Sequence, residues 1–184
     1  MTRIVAGTAG GRRLGVPAKG TRPTADRVRE ALFSALEAAV GIAGSRVLDL
    51  YAGSGALGLE ALSRGAEAAT LVEHHRDAVA VLRRNAAAVG LPGADVRAGK
   101  VATVLAAPPR APYDIVFADP PYALPDEELA VALTALVEQG WVAEGSTVVV
   151  ERAAKAGPPR WPAPLEPTRS KRYGDTEVHW AQCR

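Results

Sequence analysis

Short apolar segments and amphipathic segments alternate along the middle of the chain. Compact runs of valine, leucine and isoleucine predict strands, and apolar residues three and four positions apart predict helices. The predicted strands are Arg46–Leu50, Ala69–Glu73, a weak Asp95–Arg97, Asp114–Ala118 and Thr147–Val150. The predicted helices end at Arg64 after the first strand and cover Ala78–Val89 and Leu129–Val137. This alternation predicts a mostly parallel sheet covered on both faces, the doubly wound α/β class.

The beginning of the chain departs from this alternation. Two short strand-like segments, Arg3–Ala6 and Arg12–Val16, flank a glycine-rich turn and predict a basic β-hairpin. A flexible basic arm fits the same residues equally well. A helix is then predicted over Val28–Val40, with Thr24 as its capping residue.

The end of the chain contains many prolines. Five prolines between Gly157 and Pro167 exclude a helix or a central strand there. Beyond them, Leu165–Tyr173 and Thr176–Cys183 flank a Gly-Asp turn and predict a closing antiparallel hairpin, which brings the sheet to seven strands. We therefore divide the chain into residues 1–20, a basic hairpin or arm, and residues 21–184, one α/β domain.

Composition excludes several classes of protein. Of the 184 residues, 48% are hydrophobic and 23% are charged, which excludes a disordered acidic tail, a collagen-like fibre and a disulfide-stapled miniprotein. The single cysteine, Cys183, excludes an intrachain disulfide and a cysteine metal cluster. No apolar run approaches the ~20 residues that span a bilayer, and no secretory pattern begins the chain. We therefore expect a cytoplasmic protein without membrane contact.

Charge is unevenly distributed along the chain. The net charge is only +2, from 22 basic and 20 acidic residues. Residues 1–29, however, contain seven basic residues and one acidic residue, so the remaining residues carry a net negative charge. A concentrated basic end predicts contact with a polyanion, while a solvated surface is the simpler alternative.

A glycine-rich loop follows the first strand of the predicted sheet. Gly53, Gly55 and Gly58 have dinucleotide-fingerprint spacing, and Glu73 lies 20 residues after Gly53 at the end of the next strand. Glycines there allow close approach of a ligand, and the Glu73 carboxylate can accept two ribose hydroxyls. The loop predicts a ribose-containing cofactor, and both NAD and S-adenosylmethionine fit it.

A second motif, Asp119-Pro120-Pro121-Tyr122, follows the most apolar strand, at the edge where α/β proteins bind ligands. The two prolines keep the backbone rigid. An Asp oxygen and a neighbouring carbonyl can then accept the two hydrogens of an exocyclic amino group, while the tyrosine ring stacks on a planar base. This motif favours S-adenosylmethionine over NAD, because it suits a base that receives a methyl group.

The two motifs together resemble class I S-adenosylmethionine-dependent methyltransferases that act on amino groups. Two longer stretches, residues 22–33 (RPTADRVREALF) and 51–65 (YAGSGALGLEALSRG), resemble the RsmD family more specifically. That family contains bacterial 16S rRNA guanine-N2 methyltransferases, which modify guanine 966. The resemblance covers nearly the whole chain and implies a Rossmann-like class I methyltransferase fold with S-adenosyl-L-methionine as cofactor.

The resemblance also implies roles for individual residues. The cofactor-binding residues would be Asp49, Tyr51, Gly53, Gly55, Glu73, Thr24 and Lys100. The catalytic residues that hold and orient the target guanine would be Asp119, Pro120, Pro121 and Tyr122. The residues that contact substrate RNA would be Arg3, Arg12, Arg13 and Arg22. The partner would be 16S rRNA or an assembling small ribosomal subunit, bound by a monomer.

One feature of the sequence departs from common features of such enzymes. Many relatives have an Asp or Asn after the third strand to bind adenine, whereas this chain has Ala98-Gly99-Lys100, so backbone contacts near Lys100 would have to serve. We also expect no metal, because His74, His75 and His179 show no ligand spacing. His74 and His75 are interpreted as surface residues at the start of a helix.

Other functions remain open at this point. A DNA or protein amino-group methyltransferase would use the same Asp-Pro-Pro-Tyr motif. A nicotinamide-dependent oxidoreductase would use the glycine loop but has no role for Asp119–Tyr122. A noncatalytic RNA-binding module would explain the basic end and neither motif.

Overall fold

A seven-stranded sheet forms the centre of the computed structural model, which describes residues 2–18 and 26–184. The helices are α1 (Asp26–Ala39), α2 (Ala56–Ser63), α3 (Arg76–Val89), α4 (Val101–Leu105) and α5 (Asp126–Glu138). The strands are β1 (Thr2–Arg3), β2 (Arg13–Leu14), β3 (Arg46–Leu50), β4 (Ala68–Glu73), β5 (Ala94–Ala98), β6 (Ile115–Ala118), β7 (Thr147–Ala153), β8 (Leu165–Tyr173) and β9 (Thr176–Cys183).

The strand order of the large sheet is β5-β4-β3-β6-β7-β9-β8. The five strands β5, β4, β3, β6 and β7 are parallel to one another, and β9 pairs antiparallel with both β7 and β8. After β3 the chain places β4 and β5 on one side of it, and then places β6 and β7 on the other side. The direction in which strands are added therefore reverses between β3 and β6. The predicted α/β class, the parallel sheet and the closing hairpin are confirmed.

Apolar residues cover both faces of this sheet, because successive side chains of a strand point to opposite sides. On the first face, residues such as Val47 and Phe117 pack with α1, α2 and α3. On the second face, residues such as Leu48 and Val116 pack with α4 and α5. The short helix α4 was not predicted, because its five residues are too few to show helical periodicity.

The N-terminal segment forms the predicted hairpin rather than a flexible arm, although β1 and β2 are shorter than expected. Thr2 pairs with Leu14 and Arg3 with Arg13. Ile4 and Leu14 are fully buried in the first-face core. The segment covers the outer side of α2, and every residue of this helix is therefore buried. The polar residues of α2, Glu60 and Ser63, accept hydrogen bonds from backbone amides of this segment.

The proline-rich stretch contains no helix and no strand before β8, as expected. Pro167 lies within β8, which is an edge strand of the sheet, and the pairing with β9 shifts register between Pro167 and Arg169. An edge position with a bulge tolerates a residue that lacks an amide hydrogen. Among the described residues, no helix is long and apolar enough to cross a membrane.

Candidate active site at the carboxyl edge of the sheet

The loops that carry the two motifs meet where the strand order reverses. Leu50, at the end of β3, pairs with Val72 of β4 on one side and with Ala118 of β6 on the other. The loops after β3, β4 and β6 therefore leave the sheet side by side. In open α/β sheets, the crevice at such a switch point is where ligands bind.

The glycine loop after β3 has an unusual backbone. Tyr51 has φ of 60° and is the one non-glycine residue with positive φ within the described ranges. Gly53 and Gly55 also have positive φ. A Cβ atom on Gly55 would lie 2.4 Å from Leu82 Cδ1, so any other residue there would be strained by the positive φ and would displace this side chain of α3. Left-handed backbone at a bulky residue such as Tyr51 is strained, and such strain concentrates at functional sites.

Asp49 lies beneath this loop and is almost completely buried, with 1% of its surface exposed. Its Oδ2 accepts a hydrogen bond from the Gly58 amide at 2.9 Å. The pKa of the Asp49 carboxyl is raised to about 8, mainly by burial and also by the nearby Glu73, against the opposing effect of the Gly58 hydrogen bond. A cation placed beside Asp49 would favour its charged form. The geometry therefore suits a ligand with positive charge.

Glu73 connects the end of β4 to the glycine loop. Its Oε1 accepts a hydrogen bond from the Gly53 amide, and its Oε2 accepts from the amides of His74 and His75, all at 2.9 Å. Sequence reasoning placed Glu73 at the site but missed this loop-ordering role, for which spacing gives no signal. The contact with a ribose stays a prediction.

The histidines correct one expectation. His74 and His75 are exposed residues directly before α3, as expected. However, ligand atoms of Glu73, His74 and His75 lie within 4.8 Å of one another, so the expectation that these histidines lack a metal-ligand arrangement is wrong. His179 lies apart from them, buried on β9, where burial lowers its pKa. That the protein uses no metal stays a prediction.

The Asp119–Tyr122 loop is fixed between β6 and β9. Pro120 is buried, Asp119 is half-buried, and Tyr122 is 53% exposed. The Tyr122 hydroxyl lies 3.0 Å from Thr176 Oγ1 at the start of β9. The Leu124 amide donates to the Pro121 carbonyl at 2.9 Å and closes a turn. The ring of Tyr122 is thus held at its tip while much of its surface remains accessible for stacking.

The loop after β5 contains no acidic side chain. The Gly99 amide donates to the Glu73 carbonyl at 2.9 Å, and the exposed Lys100 directly precedes α4. This loop therefore lies beside the end of β4. Adenine contacts from the backbone near Lys100 stay a prediction.

The basic residues of the N-terminal segment differ in accessibility. Arg3, Arg12 and Arg13 are exposed; Arg3 pairs with Asp26 at 3.2 Å, and Arg12 Nη1 donates to the Ala88 carbonyl at 2.6 Å. Arg22 and Thr24, predicted to contact RNA and cofactor, lie outside the described residues.

Arg29 corrects the interpretation of residues 1–29 as one cationic surface. Its side chain is completely buried and donates to Thr2 Oγ1, to the Arg3 carbonyl and to Asp26. Its Nε also lies 3.8 Å from Glu60 Oε1, another buried atom. A buried arginine needs such partners, so its charge serves the fold.

The reversal point, the close-packed glycine loop and the Asp-Pro-Pro-Tyr loop define a class I methyltransferase fold. The structure of magnesium protoporphyrin IX methyltransferase from Synechocystis PCC 6803 shares this fold with a TM-score of 0.66 at 16% identity, over 86% of this chain and 79% of that one. A family model described as "Conserved hypothetical protein 95" matches residues 2–182. The chain belongs to this family, the RsmD family of methyltransferases.

Individual relatives agree with this assignment. The chain is 42% identical over 173 residues to ribosomal RNA small subunit methyltransferase D of Escherichia coli K12. The aligned region covers 94% of this chain and 85% of that protein. The Haemophilus influenzae protein of the same name is 38% identical over 153 residues, 81% of this chain and 77% of that one. The solved structure of yhhF from Escherichia coli has a TM-score of 0.88 at 37% identity, over 99% of this chain and 97% of that chain.

Proposed function

We propose that this protein transfers a methyl group from S-adenosyl-L-methionine to the exocyclic N2 amino group of a guanine in small-subunit (16S) rRNA, guanine 966. The observation that carries the proposal is the pairing of Leu50 with Ala118, which brings the glycine loop and the Asp119–Tyr122 loop to one crevice. The names of the relatives that are 38% and 42% identical support rRNA of the small subunit as substrate.

The residues of the glycine loop fit this cofactor. When bound, S-adenosylmethionine would supply a methyl group on a positively charged sulfur: an N–C bond would form as the C–S bond breaks, S-adenosylhomocysteine would be left, and the amino nitrogen would release one proton to solvent. Asp49 provides a buried carboxylate for the cationic methionine end. Gly53 and Gly55 allow the backbone to approach it closely, with Tyr51 beside them. Glu73 keeps this loop in place through Gly53 and has acceptor capacity for a ribose hydroxyl.

The Asp-Pro-Pro-Tyr loop orients the amine. Asp119 and the Pro120 carbonyl accept the two hydrogens of the guanine amino group, so that its lone pair points along the line of transfer. Pro121 keeps the loop rigid, and the accessible ring of Tyr122 stacks on the base. Because the methyl group is already activated, the protein contributes mainly alignment, and the mechanism needs no metal.

The RNA is bound partly through phosphate contacts of the exposed Arg3, Arg12 and Arg13. Such contacts position a nucleic acid without reading its sequence. We propose that Arg22 contributes to the same surface and that Thr24 and Lys100 contact the cofactor. The enzyme acts as a monomer in the cytoplasm, where its ribosomal substrate is assembled.

Binding and activity assays on Asp119→Ala test the assignment. The variant is expected to lose methyl transfer to small ribosomal subunits by at least about a hundredfold, because the amine is no longer oriented. Binding of S-adenosylhomocysteine, measured by calorimetry, should change less than about threefold, because the glycine loop is unaltered. Surviving activity would contradict the catalytic role of Asp119. Binding of NAD in place of S-adenosylhomocysteine would indicate an oxidoreductase.

A further inference from the structure

A second carboxylate lies on the strand next to Asp119. Glu151 is near the carboxyl end of β7 and only 7% exposed. Ala118 of β6 pairs with Val150 of the parallel strand β7. Asp119 directly follows Ala118, and Glu151 directly follows Val150. Adjacent strands are about 4.8 Å apart. The two carboxyl-bearing residues are therefore direct neighbours at the edge where the target base is proposed to bind.

The side chain of Glu151 points to the first face of the sheet. Val149, two positions before it on β7, belongs to the first-face core, and so does Val178, the partner of Glu151 on β9. Because side chains alternate along a strand, Glu151 shares the face of Val149, and Asp119 begins the loop that leaves the neighbouring strand directly after Ala118. Arg152, the next residue of β7, points to the second face and pairs with Asp126 of α5. The first face is also the face of Asp49, since Asp49 pairs in register with Phe117.

The Asp-Pro-Pro-Tyr loop by itself does not select guanine. Two acceptors around an exocyclic amine suit guanine, adenine or cytosine equally. The bases differ in the ring nitrogen beside the amine. In guanine, N1 carries a hydrogen and donates, whereas adenine N1 and cytosine N3 are acceptors. A second acceptor beside Asp119 therefore favours guanine, and a carboxylate accepts but does not donate.

We propose that Glu151 accepts a hydrogen bond from N1–H of the target guanine and so determines the base specificity of the enzyme. This inference rests on the proposed function and deepens it. The longer glutamate side chain extends from the neighbouring strand toward the ring, while Asp119 and the Pro120 carbonyl hold the amine. Adenine and cytosine are rejected because adenine N1 or cytosine N3 would direct a lone pair at the buried Glu151 carboxylate. The ring nitrogen and the carboxylate are both acceptors, so neither would have a hydrogen-bond donor.

The test compares guanine with 2-aminopurine at the target position. 2-Aminopurine keeps the 2-amino group, but its N1 is an acceptor without a hydrogen. Small subunits are reconstituted with 16S rRNA ligated from synthetic segments that carry either base, and methyl transfer is followed with tritiated S-adenosylmethionine and nucleoside analysis. The wild-type protein is expected to prefer guanine by at least about tenfold in kcat/KM.

The variant Glu151→Gln is expected to reduce this preference by about tenfold or more. A glutamine amide can accept from guanine N1–H or donate to the N1 of 2-aminopurine, so both bases are tolerated. Glu60→Gln makes the same change at a buried glutamate of α2, and it should leave the ratio between the two bases unchanged even if total activity falls. Glu166→Gln makes it at an exposed position of β8 and should leave both activities unchanged.

The possible outcomes separate the two proposals. Equal methylation of both bases by the wild-type protein, or an equal loss for both bases in Glu151→Gln, would overturn the role of Glu151. Absence of methyl transfer to guanine by the wild-type protein would overturn the proposed function and this inference with it. The wild-type comparison does not depend on any variant, so the inference stays testable if Glu151→Gln fails to fold.

Discussion

At the scale of single residues, Asp49 is a buried acidic group whose protonation differs between the folded and the unfolded chain. Its carboxyl is buried beside Glu73, and the pKa of Asp49 is raised to about 8. A carboxyl with this pKa holds a proton in the folded protein at neutral pH, while the unfolded chain releases it above pH ~4. Burial of Asp49 therefore lowers the stability of the protein as pH rises from about 4 to about 8, and a cationic ligand of the proposed kind would offset this loss.

The stability of the Asp49→Asn variant relative to the wild-type protein is expected to increase as pH rises from 4 to 8, and to stay constant above pH 8. Asparagine does not titrate and can still accept from the Gly58 amide, so the energetic cost of ionising the buried group disappears. Thermal unfolding of both proteins at pH 5, 6.5, 8 and 9 checks this, with the exposed Asp175→Asn as control. A difference in Tm that stays constant or shrinks from pH 5 to pH 8 would contradict the assigned pKa.

At the scale of elements, the N-terminal hairpin is hydrogen-bonded to the helices that pack against the glycine loop. The Glu60 carboxylate of α2 accepts from the amides of Val5 and Ala6 at 2.7 and 3.1 Å. Asn85 of α3 joins Gly15 to Ser54: its Oδ1 accepts from the Gly15 amide, and its Nδ2 donates to the Gly15 and Ser54 carbonyls. Ser54 lies between Gly53 and Gly55, so the same side chain orders the loop and the hairpin.

Asn85→Asp is expected to lower the free energy of unfolding by about 2–4 kcal/mol, because the buried Ser54 carbonyl and the half-buried Gly15 carbonyl lose their donor. It should also weaken S-adenosylhomocysteine binding by about tenfold, because the glycine loop is no longer held. Urea unfolding and calorimetry measure the two effects. The neighbouring exposed Arg84→Ala serves as control and should change neither by much. Unchanged cofactor affinity in Asn85→Asp would show that Ser54 does not depend on this contact.

The elements that the sequence predicted well are those whose pattern is local. Strands β3, β4, β6 and β7 follow from compact apolar runs, and the two motifs follow from their position after strands. Contacts between distant residues leave no local pattern, which is why the bonds of Glu73 to Gly53 and of Asn85 to Ser54 were not foreseen. The sequence does not distinguish Arg29 from the exposed basic residues near it, because its burial depends on packing against α2. Its partner there, Glu60, lies 31 residues further along the chain.

At the scale of the whole molecule, exposed basic residues and buried acidic residues occupy different places. The N-terminal segment presents Arg12 and Arg13 to solvent. The carboxyl edge of the sheet contains the buried Asp49, Glu73 and Glu151. This division suits a protein that attracts a polyanion to one surface and holds an amine and a cationic cofactor in a crevice.

Arg13→Glu is expected to weaken binding of a 16S rRNA fragment several-fold at low salt and to reduce the slope of log Kd against log salt by about 1 to 2. S-adenosylhomocysteine affinity should not change. Arg160→Glu, another exposed arginine reversed in charge, serves as the matched control outside the N-terminal segment. Equal losses for both variants would mean that net charge, rather than the N-terminal surface, governs RNA binding.

The central claim is tested most directly by mapping the methyl group. Purified protein and tritiated S-adenosylmethionine are incubated with small ribosomal subunits from a strain that lacks this protein, and the labelled nucleotide is located and identified by mass spectrometry. We predict a single N2-methylguanine in 16S rRNA, at guanine 966, absent with Asp119→Ala. Label on adenine, on cytosine or on a ribosomal protein would contradict the proposed function.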